Sequence, residues 1–92
     1  MRNLAVMRIY NVTCTLADTE YSQALSSFSS VFSIKPREPT INIRIYASTG
    51  ATPFWTVFGG SSDSYEGPFT GVQTIFFQAD TAGAIVEIIE FR

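Results

Sequence analysis

The sequence contains no histidine. The commonest general base and the commonest zinc ligand are therefore missing. A single cysteine, Cys14, excludes an internal disulfide and any paired-cysteine metal or redox site. Charged residues make up only 15% of the chain, against roughly 25% in an average soluble domain. The six basic residues (Arg2, Arg8, Lys35, Arg37, Arg44 and Arg92) are scattered, with only Lys35 and Arg37 close together. Phosphate-backbone binding needs a clustered basic face, so no nucleic-acid partner is expected. No segment approaches the ~18 consecutive apolar residues of a membrane-crossing helix, and no membrane partner is expected either. The N-terminus lacks the apolar core and cleavage site of a signal peptide. Asn11-Val12-Thr13 matches a glycosylation sequon, but it falls inside a strand pattern and reads as a chance match.

What is present points one way. The length, 92 residues, allows one domain with a thin core. Ile and Val total 15 against 3 Leu, and Thr adds 10 more β-branched residues. Such residues fit a pleated surface, whereas Leu, Ala and Lys favour helices. Hydrophobic residues at 46% and aromatics at 14% exclude a disordered chain. A surface this poor in charge tends to associate, so a partner-covered surface is expected.

Period-two alternation recurs along the chain. Residues 6–16 place Val6, Tyr10, Val12, Cys14 and Leu16 on one face, with Arg8 breaking it near the start. A turn at 17–19 leads to a short strand over 20–25, with Tyr21 and Leu25 inward. Residues 28–34 alternate Phe and Ile with Ser. The segment 35–39, with two prolines and three charges, reads as an exposed loop. Residues 41–47 are the cleanest strand, with Ile41, Ile43, Ile45 and Ala47 inward. Residues 54–58 are apolar on both faces apart from Thr56, which predicts cover from two sides. A glycine-rich loop at 59–64 precedes a short edge strand within 65–70. Residues 72–78 and 84–91 complete the set, joined by a hairpin loop at 79–83. Glu87 and Glu90 are expected at solvent or interface positions. Seven or eight short strands with this spacing suggest a β-sandwich, a jelly roll or a small closed barrel, and the expected fold is an all-β, single-domain antiparallel β-sandwich, jelly-roll-like. Residues 7–92 form the domain, and residues 1–6 an N-terminal extension or arm.

No constellation for catalysis, a cofactor or a metal can be assembled. Cys14 lies on an apolar strand face with no histidine to activate it, and reads as a small buried hydrophobe. Asp63 and Glu66 sit in an oxygen-rich loop, but without a calcium-loop pattern the loop reads as solvated. Gly59-Gly60 is followed by neither the lysine nor the helix of a phosphate-binding loop. The aromatic-dense stretch Phe54, Trp55, Phe58, Tyr65 and Phe69 has three uses open to it: filling a small core, forming a subunit interface, or stacking on sugars. The chain is therefore expected not to be an enzyme.

The M-R-I-Y-N-V-T run from Met7, the T-E-Y-S-Q-A-L of residues 19–25 and the T-A-G-A-I-V-E-I-I of residues 81–89 resemble a class of small tailed-bacteriophage virion proteins. Between these runs, the strand containing Arg44, the apolar stretch 54–58, Tyr65-Glu66 and residues 72–78 keep the order of that class. The 35–39 segment departs from it, and residues 1–6 precede its usual start. The resemblance implies a virion β-sandwich, most directly a capsid decoration (cement) protein that stabilises the head. It implies a homo-oligomer, often a trimer, seated on the major capsid protein at the capsid surface after synthesis in the host cytoplasm. Neck, tail or fibre placement and a carbohydrate-binding module are the alternatives. Phe54, Trp55, Phe58 and Tyr65 are the candidate subunit-contact residues.

Overall fold

A computed structural model describes residues 7–26, 31–46, 50, 53–66 and 74–91. Eight strands run in chain order: β1 (Met7–Cys14), β2 (Tyr21–Ala24), β3 (Val31–Pro36), β4 (Ile43–Tyr46), β5 (Trp55–Val57), β6 (Asp63–Glu66), β7 (Thr74–Ala79) and β8 (Ala84–Phe91). They form two four-stranded sheets, ordered β1-β8-β3-β6 and β2-β7-β4-β5. Every pairing is antiparallel. Among the described strands only β4 and β5 follow one another within a sheet; every other step crosses between sheets. That connectivity is the double Greek key of a jelly roll, in keeping with the expected jelly-roll-like sandwich.

The alternation sets the core. Ile34, Ile43, Val57, Phe77, Val86 and Ile88 are fully buried between the sheets, with Cys14 and Ala84 beside them. Tyr10, Val12, Tyr21, Phe32 and Tyr65 pack around this centre. β8 shows the pattern most clearly: Ala84, Val86, Ile88 and Glu90 are buried, and the residues between them are half-exposed.

Four local expectations need correction. Lys35 and Pro36 belong to β3 rather than to a loop, and Pro36 is buried. β6 begins opposite Ile34, so at Pro36 the strand has a neighbour on one side only, where a missing N–H is tolerated. The 79–83 segment is no hairpin, because β7 and β8 lie in different sheets. Gly83, at φ +79°, donates its N–H to the Cys14 carbonyl at 2.8 Å and turns the chain across. The sixth strand starts at Asp63, inside the segment read as a flexible loop. Leu16, aligned in sequence with the inward face of β1, is exposed because the strand ends at Cys14. The expected arm at residues 1–6, and with it Ala47, Phe69 and Val72, lies outside the described residues.

Candidate functional site

The candidate contact residues fall into two groups. Trp55 opens β5 and is 63% exposed. Register places it opposite buried Ile45, but β5 is an edge strand, and the indole reaches past the rim. Its Nε1–H donates to Asp63 Oδ2 at 2.6 Å. The Tyr65 hydroxyl donates to the same oxygen at 3.3 Å. One carboxylate on β6 thus joins an edge of one sheet to an edge of the other. Tyr65 itself is half-buried, its ring tilted 33° against Phe32 with centroids 5.0 Å apart. Burial, then the Asp63 charge and hydrogen bond, push its phenol up to about 12. Tyr65 therefore helps to close the sandwich, and Trp55, Phe54 and Phe58 carry the exposed aromatic surface.

Phe54 and Phe58 flank β5 in the chain. The Arg44 guanidinium lies 4.8 Å from the Phe54 ring centroid, a cation–π contact. Gly59, directly after Phe58, packs against backbone: a side chain there would collide with the Pro39 carbonyl oxygen. Its N–H donates to Asn42 Oδ1 at 2.9 Å. The cover expected on both faces of residues 54–58 is present at Val57 alone among the apolar side chains.

Sequence reasoning missed a second surface, the outer face of the β1-β8-β3-β6 sheet. Register lines up Met7, Phe91 and Val31 in one cross-strand row. The next row sets Ile9 beside Ile89, with Ser33 and Ser64 continuing it. Met7 and Ile9 are 55% and 59% exposed, and Val31, Ile89 and Phe91 are half-exposed. A third row brings Asn11, Glu87 and Lys35 together. Lys35 Nζ lies 2.7 Å from Glu87 Oε1, and Arg37 Nε donates to Oε2 at 2.9 Å. These hydrogen bonds hold the Glu87 carboxyl below its ordinary range. One half of the face is apolar and the other carries a compact charged trio. The signal was available in the odd positions of residues 85–91, which hold Ile85, Ile89 and Phe91.

Glu90 is the main surprise. It is 1% exposed, not at solvent. Its carboxylate accepts a short hydrogen bond from the Tyr10 hydroxyl and bonds from the Ser26 backbone N–H at 3.2 and 3.0 Å. The Tyr10 phenol is raised, first by this bond and then by burial. A buried carboxylate stays in place when such donors satisfy it. Burial also raises the Cys14 thiol, which keeps it protonated and unreactive. Among the described residues, no group of three His, Cys, Asp or Glu could hold a metal ion.

No family model, curated protein or solved structure matches this chain.

Proposed function

We propose that the chain is a structural protein of a tailed-bacteriophage particle, a capsid decoration protein that binds the major capsid protein shell as a homo-oligomer, a trimer in the simplest arrangement. The outer face of the β1-β8-β3-β6 sheet carries this reading. Met7, Ile9, Val31, Ile89 and Phe91 form one contiguous apolar area in a chain with 15% charged residues. With strands about 4.8 Å apart and a rise of about 3.4 Å per residue, the two apolar rows across β1, β8 and β3 cover roughly 200 Å² of a whole face of roughly 500 Å². Two whole faces in contact, polar and charged rows included, bury about 1,000 Å², the threshold of a specific interface.

A cement protein must hold more than one neighbour. The Phe54, Trp55 and Phe58 surface supplies a second contact region on the opposite sheet's edge strand and its flanks. The jelly-roll order adds support by analogy alone, since it serves viral capsid, lectin and cupin domains alike. Locating the protein in a map of intact particles tests the reading. Copies in the hundreds on the shell, and heads that rupture more easily without them, are the expected result. A handful of copies at one vertex moves the protein to the neck or tail. Absence from purified particles, together with a monomer in light scattering at micromolar concentration, overturns the proposal.

A further inference from the structure

The outer face of the other sheet has a different character. β4 and β7 are neighbours there, and Arg44 stands opposite Gln78 in register. Two residues before Arg44, just ahead of β4, lies Asn42, and two residues on from Gln78, just past β7, lies Asp80. The Asp80 N–H donates to the Asn42 carbonyl at 3.1 Å, and the Asn42 N–H donates to Asp80 Oδ1 at 3.3 Å. Arg44 and Gln78 on the outer face of two adjacent strands, and Asn42 and Asp80 at those strands' ends, thus gather four planar polar side chains in one place. Asp18, at φ 53° in the turn after β1, joins them, held by its N–H bond to the Ala79 carbonyl at 2.8 Å. Together with Phe54 they line a groove of about 310 Å³, at the small end of ligand sites.

Much of the hydrogen-bonding capacity in this groove is unspent. Arg44 and Asp18 make no ion pair among the described residues. The Arg44 fork is instead steadied over the half-exposed Phe54 ring. Asn42 Oδ1 is occupied by the Gly59 N–H, which leaves the amide N–H₂ as donor. Asp80 Oδ1 accepts from Asn42 N–H and Thr81 Oγ1, which leaves Oδ2. Gln78 is only 9% exposed and lies beside the buried Tyr46 hydroxyl, which also faces Glu20.

We propose that this groove binds a neutral saccharide. The donor and acceptor balance selects that class. An anion requires donors, but two carboxylates flank the single guanidinium and would repel it. A cation requires acceptors, but Arg44 and the two amides offer donors. Adjacent sugar hydroxyls each donate and accept, and they match paired carboxylate, carboxamide and guanidinium groups. The C–H face of a pyranose suits the Phe54 ring. The site goes beyond the virion reading and does not depend on it.

The test titrates the intact protein with maltose, lactose, mannobiose and chitobiose, followed by amide ¹H–¹⁵N spectra. Inorganic phosphate and arginine methyl ester serve as charged controls. At least one saccharide should give saturable millimolar shifts centred on Asn42, Arg44, Gln78 and Asp80. Arg44→Ala and Asp80→Ala should each weaken binding about tenfold, by loss of a charge-assisted hydrogen bond. Trp55→Ala, outside the groove, and the Ile9→Ser/Ile89→Ser pair on the other sheet should bind normally. Preserved spectral dispersion separates loss of binding from loss of fold. A blank across the saccharide panel overturns the proposal. So does stronger binding of either charged control, or a shift pattern that survives Arg44→Ala. Saccharide binding by a protein absent from particles would remove the virion reading and leave this site standing.

Discussion

The two sheets share one core but present opposite exteriors. Outside β1-β8-β3 stand Met7, Ile9, Val31, Ile89 and Phe91. Outside β2-β7-β4 stand Ser22, Thr74, Arg44 and Gln78, with Tyr46 stacked on Phe76 at 6.3 Å. A one-sided antiparallel sheet ordinarily alternates apolar-in and polar-out, and the second sheet largely follows that rule. The first breaks it, with apolar residues at both parities along β8. An exterior apolar at both parities is what supports the proposed contact with another chain.

The sharpest way to break this comparison is to make the apolar face polar. In Ile9→Ser/Ile89→Ser, an interface would lose about 1.5–3 kcal/mol per side chain, more than a hundredfold in affinity together. Self-association should collapse in sedimentation while the urea midpoint of the isolated domain holds. A domain that unfolds instead would mean these residues serve the fold, and the contrast between exteriors would fail. Next in size is Glu90→Gln, inside the same sheet. It should cost about 1–3 kcal/mol in urea unfolding through its bonds from Tyr10 and Ser26. An unchanged midpoint would show that this carboxylate contributes nothing net.

The seam between the sheets gives an alkaline signature. The Tyr65 phenol, raised from 10.0 to about 12, stays protonated in the folded state after the unfolded chain ionises. Its contribution is complete below pH 10 and is lost as pH rises toward about 12. In Tyr65→Phe that part of the alkaline fall in melting temperature should disappear; an identical profile would place the cause elsewhere. The smallest effect belongs to Glu87. Its lowered carboxyl pKa means stability present above the unfolded value near 4.5 and lost as pH falls through the folded one. Glu87→Gln should flatten the acid limb by under about 1 kcal/mol, because surface ion pairs are screened. A larger loss would show the charged trio to be a structural anchor.

Strand positions were legible because the period-two signal is local: Ile41, Ile43 and Ile45 in one phase needed no tertiary knowledge. The all-β sandwich class followed from strand number and spacing, but neither separates a jelly roll from another sandwich topology. The crossing at 80–83 was not legible, since a glycine turn looks the same whether it joins strands within a sheet or between sheets. Glu90 was readable in principle, in phase with Ala84, Val86 and Ile88. The energetic rule that carboxylates avoid cores masked the parity signal, and the donors that reverse that rule come from Tyr10 and Ser26, far away in sequence. Trp55 failed the other way: its phase is inward, but an edge strand has nothing beyond it to cover an indole. The contact residues Phe54 and Phe58 stood out as aromatics, whereas Met7, Ile9 and Ile89 became a surface only once the register of β1 against β8 was known.

The indole of Trp55 has a practical consequence. It is the only tryptophan in the chain, exposed to water and tied to Asp63 at the join between the sheets. The protein's fluorescence is therefore the report of a single address. Emission from the free subunit should sit at the long-wavelength, wet end of the tryptophan range. A shift to shorter wavelength on assembly would mark a neighbour closing over β5. If the spectrum stays still while particles form, the contacts lie on the other sheet. One unlabelled optical measurement thus tells which side of the sandwich a partner has covered.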